Sequence, residues 1–270
     1  AASDVYKRQV TTVALVGDPS WINDAFSVNV HDNATTTTGT TTVTQGKLEC
    51  KTLTSVNFKG DDNYIAIPDA ADMSFGDAST DEPFSISAWI RADDVAGYHI
   101  FTKGSAAARE YSFRTTGDSY LALTLYDDGT GNKEGQTGTV ALTNNKWIHV
   151  VGTYDGTGGS SASGGITLYV DGTLTASGTD DGGSYTAMHN QAQAAAIGRG
   201  VGHDGSGYCD GEIRDVKMFD YELSADQVSS LYSGSYNVTP LHWWKLDDST
   251  VSNNVSGAAD SGVSSGGLYD

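Results

Sequence analysis

A pair of carboxylates held across a sugar is the first chemistry to test in this acidic chain. Glycoside hydrolysis needs two carboxyl groups about 5–9.5 Å apart, and residues on one face of a strand recur at every second position. In the strand-like run EIRDVKMFD, alternation places Glu212 on one face with Val216 and Met218, and Asp215 on the other. No carboxylate pair in the sequence shows the required spacing, and no Ser-His-Asp set or phosphate-binding loop is recognisable. The sequence therefore predicts a protein without catalytic residues.

Two short acidic segments offer oxygen ligands for a divalent cation. KGDDNY brings Asp61, Asp62 and Asn63 into one turn, and CDGEIRD supplies Asp210 and Asp215. Ca²⁺ takes about six to eight oxygens, from carboxylates and from the carbonyls of tight loops. Asp and Asn side chains also bond their own backbone in ordinary turns. A structural Ca²⁺ site and a plain turn both remain open.

A third set of residues has the chemistry of sugar recognition, in which aromatic rings stack and polar groups hydrogen-bond hydroxyls. It lies in the stretches AGYHIFTKG, REYSFRTTGDSY and YDDGTGNKEGQTG. The candidate ligand-binding residues are Tyr98, His99, Arg109, Tyr126, Asp127 and Asp128. Because strands favour aromatic residues whatever their function, ordinary strand positions are the competing interpretation. We expect Trp89 and Trp147, which have apolar neighbours, to lie in the core.

The elements that must position these residues are short strands. FSISAWI places Trp89 on one face and Phe84, Ile86, Ala88 and Ile90 on the other, which indicates a strand covered on both faces. The Asp-Gly turn in YVDGTL is typical of a hairpin.

One helix is predicted over residues 224–232, where Ser224 and Gln227 form a capping box ahead of Val228 and Leu231. About a dozen short strands and one helix indicate an all-β sandwich.

Composition narrows the classes of partner. The net charge is −19, from 34 acidic and 15 basic residues, and such a chain repels nucleic acid and anionic membranes. The sequence contains no stretch of 18 apolar residues, so no membrane-spanning helix is expected. Cys50 and Cys209 flank expected core strands, so a disulfide and two buried free thiols are both open.

Six motifs occur in an order and at intervals that resemble a known family: FSISAWI, IFTKG, WIHVVGTYDG, ITLYVDGT, AAIGRG and CDGEIRDVKMFDYELSADQVSSLY. They resemble the laminin-G-like and pentraxin-like domains of the concanavalin A-like lectin/glucanase superfamily. The resemblance covers residues 54–235. It implies a concanavalin A-like jelly-roll sandwich of two curved antiparallel sheets, with KGDDNY and CDGEIRD on adjacent strands, where related sandwiches hold a structural cation.

The resemblance also implies a function. We expect a non-catalytic carbohydrate-binding or adhesion module that works outside the cell, on a cell surface or on a virion, with glycans or surface proteins as partners. One alternative is a structural assembly subunit of a coat, fibre or filament. Another is an accessory domain of a polysaccharide-degrading enzyme.

Four segments organise the chain. Residues 1–9 are expected to be a non-native leader, residues 10–53 to hold N-terminal strands and a Thr-rich linker, and residues 54–235 to form the sandwich. Residues 236–270 contain LHWWKLDD, which starts at residue 241 and resembles the family's first strand. Three placements are open for it: the start of a further repeat, packing back on its own sandwich, or packing on a neighbouring subunit, which would mean self-association through this strand. Burial of a Trp removes about 150–250 Å² from water, so at least one of Trp243 and Trp244 should be packed.

Overall fold

The structure is a computed structural model. It describes residues 55–60, 63–127, 131–175, 177–200, 207–235 and 238–246, and before these only the strands within residues 26–52. The chain forms two compact units, Ala1–Leu53 and Thr54–Asp270. In the first unit, β1 (Phe26–Val30) pairs antiparallel with β4 (Leu48–Thr52). The Thr-rich stretch forms a hairpin of β2 (Ala34–Thr37) and β3 (Thr40–Val43).

The second unit is built from two antiparallel sheets. Sheet 1 has the strand order β15 (Ser177–Thr179), β11 (Lys133–Ala141), β10 (Tyr120–Tyr126), β9 (Ala108–Thr115), β8 (His99–Ser105), β16 (Ala195–Ile197) and β6 (Ile65–Ile67). Sheet 2 has the order β14 (Thr173–Leu174), β13 (Ile166–Val170), β12 (Ile148–Tyr154), β7 (Phe84–Ala92), β17 (Asp210–Phe219) and β18 (His242–Trp244), with β5 (Val56–Lys59) also paired to β17. The expected concanavalin A-like sandwich is confirmed.

The core lies between the two sheets and follows the alternation of β7. Phe84, Ile86, Ala88 and Ile90 are fully buried. The ring of Phe84 lies 5.1 Å from that of Tyr111, which joins sheet 2 to sheet 1. Trp89 points to the other face of the sheet, as the sequence predicted.

A β-bulge in β17 overturns one expectation from simple alternation. The pairing of β17 with β7 shifts between Arg214 and Lys217, and Asp215 has φ 53°. A bulge adds one residue to a strand and reverses the faces that follow it. Val216 and Met218 therefore lie in the core while Glu212 lies on the outer face, opposite Arg91. The prediction that Glu212 shares a face with Val216 and Met218 is wrong.

The predicted helix is confirmed as α1 (Ala225–Tyr232), capped by Ser224, whose side chain accepts from the Gln227 backbone N–H, while the Gln227 side chain accepts from the Ser224 backbone N–H. Its buried Val228 and Leu231 pack over part of the outer face of sheet 2 with Val151 and Phe219. Within the described ranges, no helix is long and apolar enough to cross a membrane.

The C-terminal strand packs on the sandwich of its own chain. In β18, Trp243 pairs with Lys217 and Trp244 with Val216. Trp244 is 1% exposed, and its ring lies 5.4 Å from that of Phe101 across the core. The expected packing of at least one of the two tryptophans is therefore observed.

Cys209 is a buried free thiol, and its Sγ donates a hydrogen bond to the carbonyl of His99. Burial raises the pKa of this thiol well above its usual value. The side chain of Cys50 lies outside the described part of the chain.

Candidate functional site

A row of small side chains crosses the outer face of sheet 1. Thr102 is paired with Ser112, Ser112 with Thr124, and Thr124 with Gly135. Cross-strand partners point to the same side of a sheet, so these four residues line up over about 14 Å, given the spacing of neighbouring strands. We call this row the floor. Its neighbours along the strands, including Phe113 and Leu123, point into the core.

Longer side chains flank the floor on both sides and form two banks. One bank carries His99, which is paired with Arg114. The other carries Tyr126, which is paired with Lys133. The floor side chains are buried, whereas Arg114 and Lys133 are half-buried and reach solvent. We call the floor and its banks the trough.

An ion network joins the two banks across Thr124. The carboxylate of Asp180 accepts a hydrogen bond from Thr124 Oγ1 (3.2 Å) and forms an ion pair with Lys133. Its Oδ2 also lies 3.5 Å from the guanidinium of Arg114. The backbone N–H of Asp180 donates to the carbonyl of Gly135 at 2.9 Å, which fixes the carboxylate above the floor. One carboxylate is thus shared between two cations.

Arg109 and Tyr126, both candidates from the sequence, are brought together on one bank of the trough. The guanidinium carbon of Arg109 lies 5.3 Å from the centre of the Tyr126 ring. A register shift between Lys103 and Gly104 precedes this pair, and bulges of this kind re-aim side chains. Gly104 has φ 128°, and a Cβ there would lie 2.5 Å from the carbonyl oxygen of Ala108. Tyr126 itself is only 7% exposed, so Arg109 is the member of the pair that a ligand would reach.

Asp127, the next candidate, holds a neighbouring loop. Its Oδ2 accepts from the backbone N–H of Thr186 at 2.9 Å, and its Oδ1 lies 3.0 Å from His189 Nε2. Both oxygens therefore have partners from one loop, and the residue stabilises the chain beside the Tyr126 bank. Asp128 lies outside the described residues.

A second aromatic–cation group lies at the β6 edge of the same sheet. The guanidinium carbon of Arg199 lies 4.6 Å from the ring centre of Tyr64 and 5.6 Å from that of Tyr208. Thr102 Oγ1 donates to the carbonyl of Arg199 at 2.7 Å, so this group meets the end of the floor. The turn into it is made by Gly198, at φ 84°, where a Cβ would lie 2.5 Å from the Phe58 ring.

His99 packs beneath the Arg199 group and is too buried to be a main ligand contact. The residue is 8% exposed. Its ring packs against Gly200 and Gly207, where an added Cβ would lie 2.7 and 2.8 Å from the ring. The two glycines therefore allow the chain to approach β8 closely at the base of the Arg199 group.

Tyr98 does not lie on a binding rim, which corrects the expectation from the sequence. It is 1% exposed in the core, and its hydroxyl donates to the carbonyl of Glu212 at 3.3 Å. Burial raises the pKa of this phenol well above its usual value, and the neighbouring Cys209 adds to the shift. The register shift between His99 and Phe101 accompanies this inward placement.

The structure separates two of the four candidate metal ligands. Asp210 is paired with Lys59, so the segments KGDDNY and CDGEIRD are adjacent, as the resemblance implied. Asp215 lies five residues further along the strand, about 16 Å away, where it pairs with Lys217 and accepts from Trp243 Nε1 at 2.7 Å. Asp61 and Asp62 lie outside the described residues. Among those described, no group of three or more His, Cys, Asp or Glu side chains could hold a metal ion.

The outer face of sheet 2 is covered in a different way. The guanidinium carbon of Arg214 lies 4.0 Å from the ring centre of Trp147 and 5.5 Å from that of Trp89. Nζ of Lys217 lies 4.7 Å from the Trp243 ring centre. Trp89 and Trp147 are half-buried on this outer face, so their expected place in the core is wrong. Their rings carry stacked cations, which favours sheet 1 as the ligand-binding face.

Sequence reasoning missed the residues that connect the trough. Asp180 is 47 residues from Lys133 and 56 from Thr124, and only the pairing of β15 with β11 brings it to them. No local pattern marks it. Arg114 could have been found, because strand alternation places it opposite the core residue Phe113.

Comparisons with known proteins give the relationships of this chain. No curated protein sequence matches. Among solved structures, the chain is similar to the CBM40 domain of a Ruminococcus gnavus IT-sialidase bound to α2,3-sialyllactose, with a TM-score of 0.50, 13% identity, and coverage of 66% of this chain and 96% of that one.

Two further structures are similar. A heptameric SAP-like pentraxin from Limulus polyphemus has a TM-score of 0.44, 18% identity, and coverage of 69% of this chain and 90% of that one. A putative carbohydrate binding protein from Bacteroides ovatus has a TM-score of 0.49, 19% identity, and coverage of 77% of this chain and 57% of that one.

A laminin-G family model, described as the concanavalin A-like lectin/glucanases superfamily, matches residues 59–229, more than half of the chain. The match includes β7 to β17, which carry the sandwich and the trough. The chain belongs to the concanavalin A-like lectin/glucanases superfamily.

Proposed function

We propose that this chain is a non-catalytic carbohydrate-binding module whose ligand lies along the trough of sheet 1. The observation that carries the proposal is the floor of small side chains, which is crossed by the network of Arg114, Asp180 and Lys133 and flanked by Arg109 on Tyr126. Guanidinium and carboxylate groups present fixed, planar arrays of donors and acceptors. Such arrays suit the hydroxyl groups along a sugar ring.

The pattern of carboxylates supports binding over hydrolysis. A two-carboxylate mechanism needs a pair of acids about 5–9.5 Å apart across the scissile bond. In the part of the trough that the structure describes, Asp180 is the one carboxylate above the floor, and it pairs with Lys133 and Arg114. Both of its oxygens are already engaged, by Lys133, by Arg114 and by the hydroxyl of Thr124.

A solved structure gives independent support for the class of ligand. The sandwich of the Ruminococcus gnavus CBM40 domain was solved with α2,3-sialyllactose bound. Its similarity to this chain supports a glycan-binding role for a sandwich of this shape. We propose that the chain meets its glycan outside a cell or on a particle surface.

The packing of the C-terminal strand bears on the alternative of an assembly subunit. Strand donation would place β18 on another subunit, whereas here β18 pairs with β17 of its own chain. The pairing of β18 with β17 therefore gives no support to an assembly subunit that donates this strand to a neighbour.

Glycan-array binding followed by calorimetry tests the proposal, in Ca²⁺ and again in EDTA. Arg114→Ala should weaken binding of the best glycan at least about tenfold, because a charged hydrogen bond contributes roughly 1.5–3 kcal/mol. The matched control is Arg91→Ala, which removes a half-buried arginine paired with Glu212 on the other sheet and should bind normally. Absence of binding to every glycan in both buffers would refute the proposal.

A further inference from the structure

The cations of the trough stand out against the charge of the whole chain. The protein has 34 acidic and 15 basic residues, so its surface repels anions in general. Around the floor, however, lie the three cations Arg114, Lys133 and Arg199. Among the described carboxylates, only Asp180 forms an ion pair with any of the three, and it pairs with Arg114 and Lys133. Among the described residues, these three cations therefore share a single ion-paired carboxylate.

Arg199 is arranged to receive an anion. Its guanidinium faces the rings of Tyr64 and Tyr208, and within the described residues it forms no ion pair. Stacking on rings holds the guanidinium plane and leaves its N–H edges available for two parallel hydrogen bonds to a carboxylate or sulfate. The residue is half-buried, so a ligand can reach these edges.

The two cationic points are separated along the sheet. Arg114 is on β9, and Arg199 follows β16, two strands further on in the order of sheet 1. Neighbouring strands are about 4.8 Å apart, so about 10 Å separates the strands that carry them. A monosaccharide with a single acidic group can satisfy only one of these points. A chain of sugars with acidic groups at regular intervals can satisfy both.

We infer that the ligand of the trough is an acidic polysaccharide that crosses the strands and places one anionic group at Arg114 and Lys133 and another at Arg199. This inference rests on the proposed function of the trough. A polyanion is accepted here because the local positive charge opposes the negative field of the rest of the chain. The recognised chemistry is a repeated carboxylate or sulfate on a saccharide chain.

Calorimetry with defined oligosaccharides tests the inference on the intact chain. The probes are oligogalacturonates of one to six residues, the same oligomers with every carboxyl group reduced to an alcohol, and a sulfated glucan of similar length. We expect the longer charged oligomers to bind at least about tenfold more tightly than the monomer. We also expect added salt to weaken this binding, and the carboxyl-reduced oligomers to bind at least about tenfold more weakly.

Three variants locate the two points. Arg199→Gln and Arg114→Gln should each reduce the affinity for the long charged oligomer, which engages both points. The affinity for a monomer bound at the point left intact should stay within about threefold of that of the native chain. Arg91→Gln, on sheet 2, should change neither. Retention of the melting temperature by each variant confirms that the fold is intact.

Each outcome separates the two proposals. Equal, salt-insensitive binding of charged and reduced oligomers would overturn the acidic-ligand inference and leave the carbohydrate-binding proposal standing. Equal affinity for monomer and hexamer would overturn the two-point arrangement. Tight binding of the sulfated glucan alone would identify sulfate as the anionic group. If the chain bound none of these probes and no glycan on an array, both proposals would be refuted.

Discussion

Nζ of Lys103 lies 2.7 Å from Oε1 of Glu110, and neither side chain has any solvent-exposed surface. The ammonium also lies 2.7 Å from Oδ1 of Asp69 and donates to the carbonyls of Gln191 (3.1 Å) and Gln193 (3.0 Å). Burial raises the pKa of Glu110, and the ammonium of Lys103 opposes that shift. This ion cluster connects β8 and β9 to the segments that follow β6 and precede β16.

Replacement of Lys103 should strongly destabilise the sandwich. Lys103→Met leaves the buried carboxylate of Glu110 without its cation, and loss of one partner of a buried pair costs about 3–5 kcal/mol. Urea unfolding measures this change. Lys146→Met, at an exposed lysine, should change the free energy of unfolding by less than about 0.5 kcal/mol. A loss below about 1 kcal/mol for Lys103→Met would show that the cluster is not closed in solution.

The two adjacent tryptophans of β18 should differ in their effect on stability. Trp244→Ala removes a fully buried ring from the core and should cost about 3–5 kcal/mol. Trp243→Ala removes a half-buried ring that stacks with Lys217 and should cost clearly less. Thermal and urea unfolding of the two variants provide the comparison. Similar, small losses for both would indicate that β18 does not occupy the edge of its own sandwich.

Tyr98 should contribute to stability and not to ligand affinity. Tyr98→Phe removes the hydroxyl that donates to the carbonyl of Glu212, at a cost of about 1 kcal/mol. Calorimetry should give an unchanged glycan affinity for this variant. Arg109→Ala should behave in the opposite way, with weaker binding and a small change in stability. A large loss of affinity in Tyr98→Phe would return Tyr98 to the binding site.

His149 should make the stability depend on pH. Burial lowers its pKa to about 4, the cation of Lys217 adds to the shift, and Asp215 opposes it. In the unfolded chain the pKa is about 6.5. Because the unfolded state takes up the proton first, the stabilisation by His149 is complete above about pH 6.5 and is lost as the pH falls towards 4, by about 3 kcal/mol.

The matched variant for this effect is His149→Phe, which keeps an aromatic ring beside Trp89, 5.2 Å away in the native protein. Urea unfolding at a series of pH values should show a smaller loss of stability between pH 6.5 and 4 for the variant than for the native chain. Parallel pH profiles would mean that the pKa of His149 is the same in the folded and unfolded states.

Much of the fold could be predicted from the sequence because it depends on local periodicity. Alternation places Phe84 and Ile86 on one face and Trp89 on the other, whatever the strand pairs with. The capping box at Ser224 likewise depends on residues three positions apart, and the helix was predicted to within one residue at its start. The motif order was enough to identify the family.

The trough was only partly predictable. Arg109 and Tyr126 were chosen from the sequence and do meet, whereas Tyr98, from the same stretches, lies in the core. Asp180 carried no signal, although it joins Arg114 to Lys133. Trp89 and Trp147 lie outside the core, where Arg214 stacks on both.

The sequence by itself thus determined which residues alternate, where the helix begins and how acidic the chain is. The tertiary structure decided which faces the side chains take after the bulge at Asp215, and which distant residues share the floor of the trough. The physical reason is that periodicity and capping act over a few neighbouring residues. Register, bulges and ion pairs depend on strands that are far apart in the chain and meet only when the sheets form.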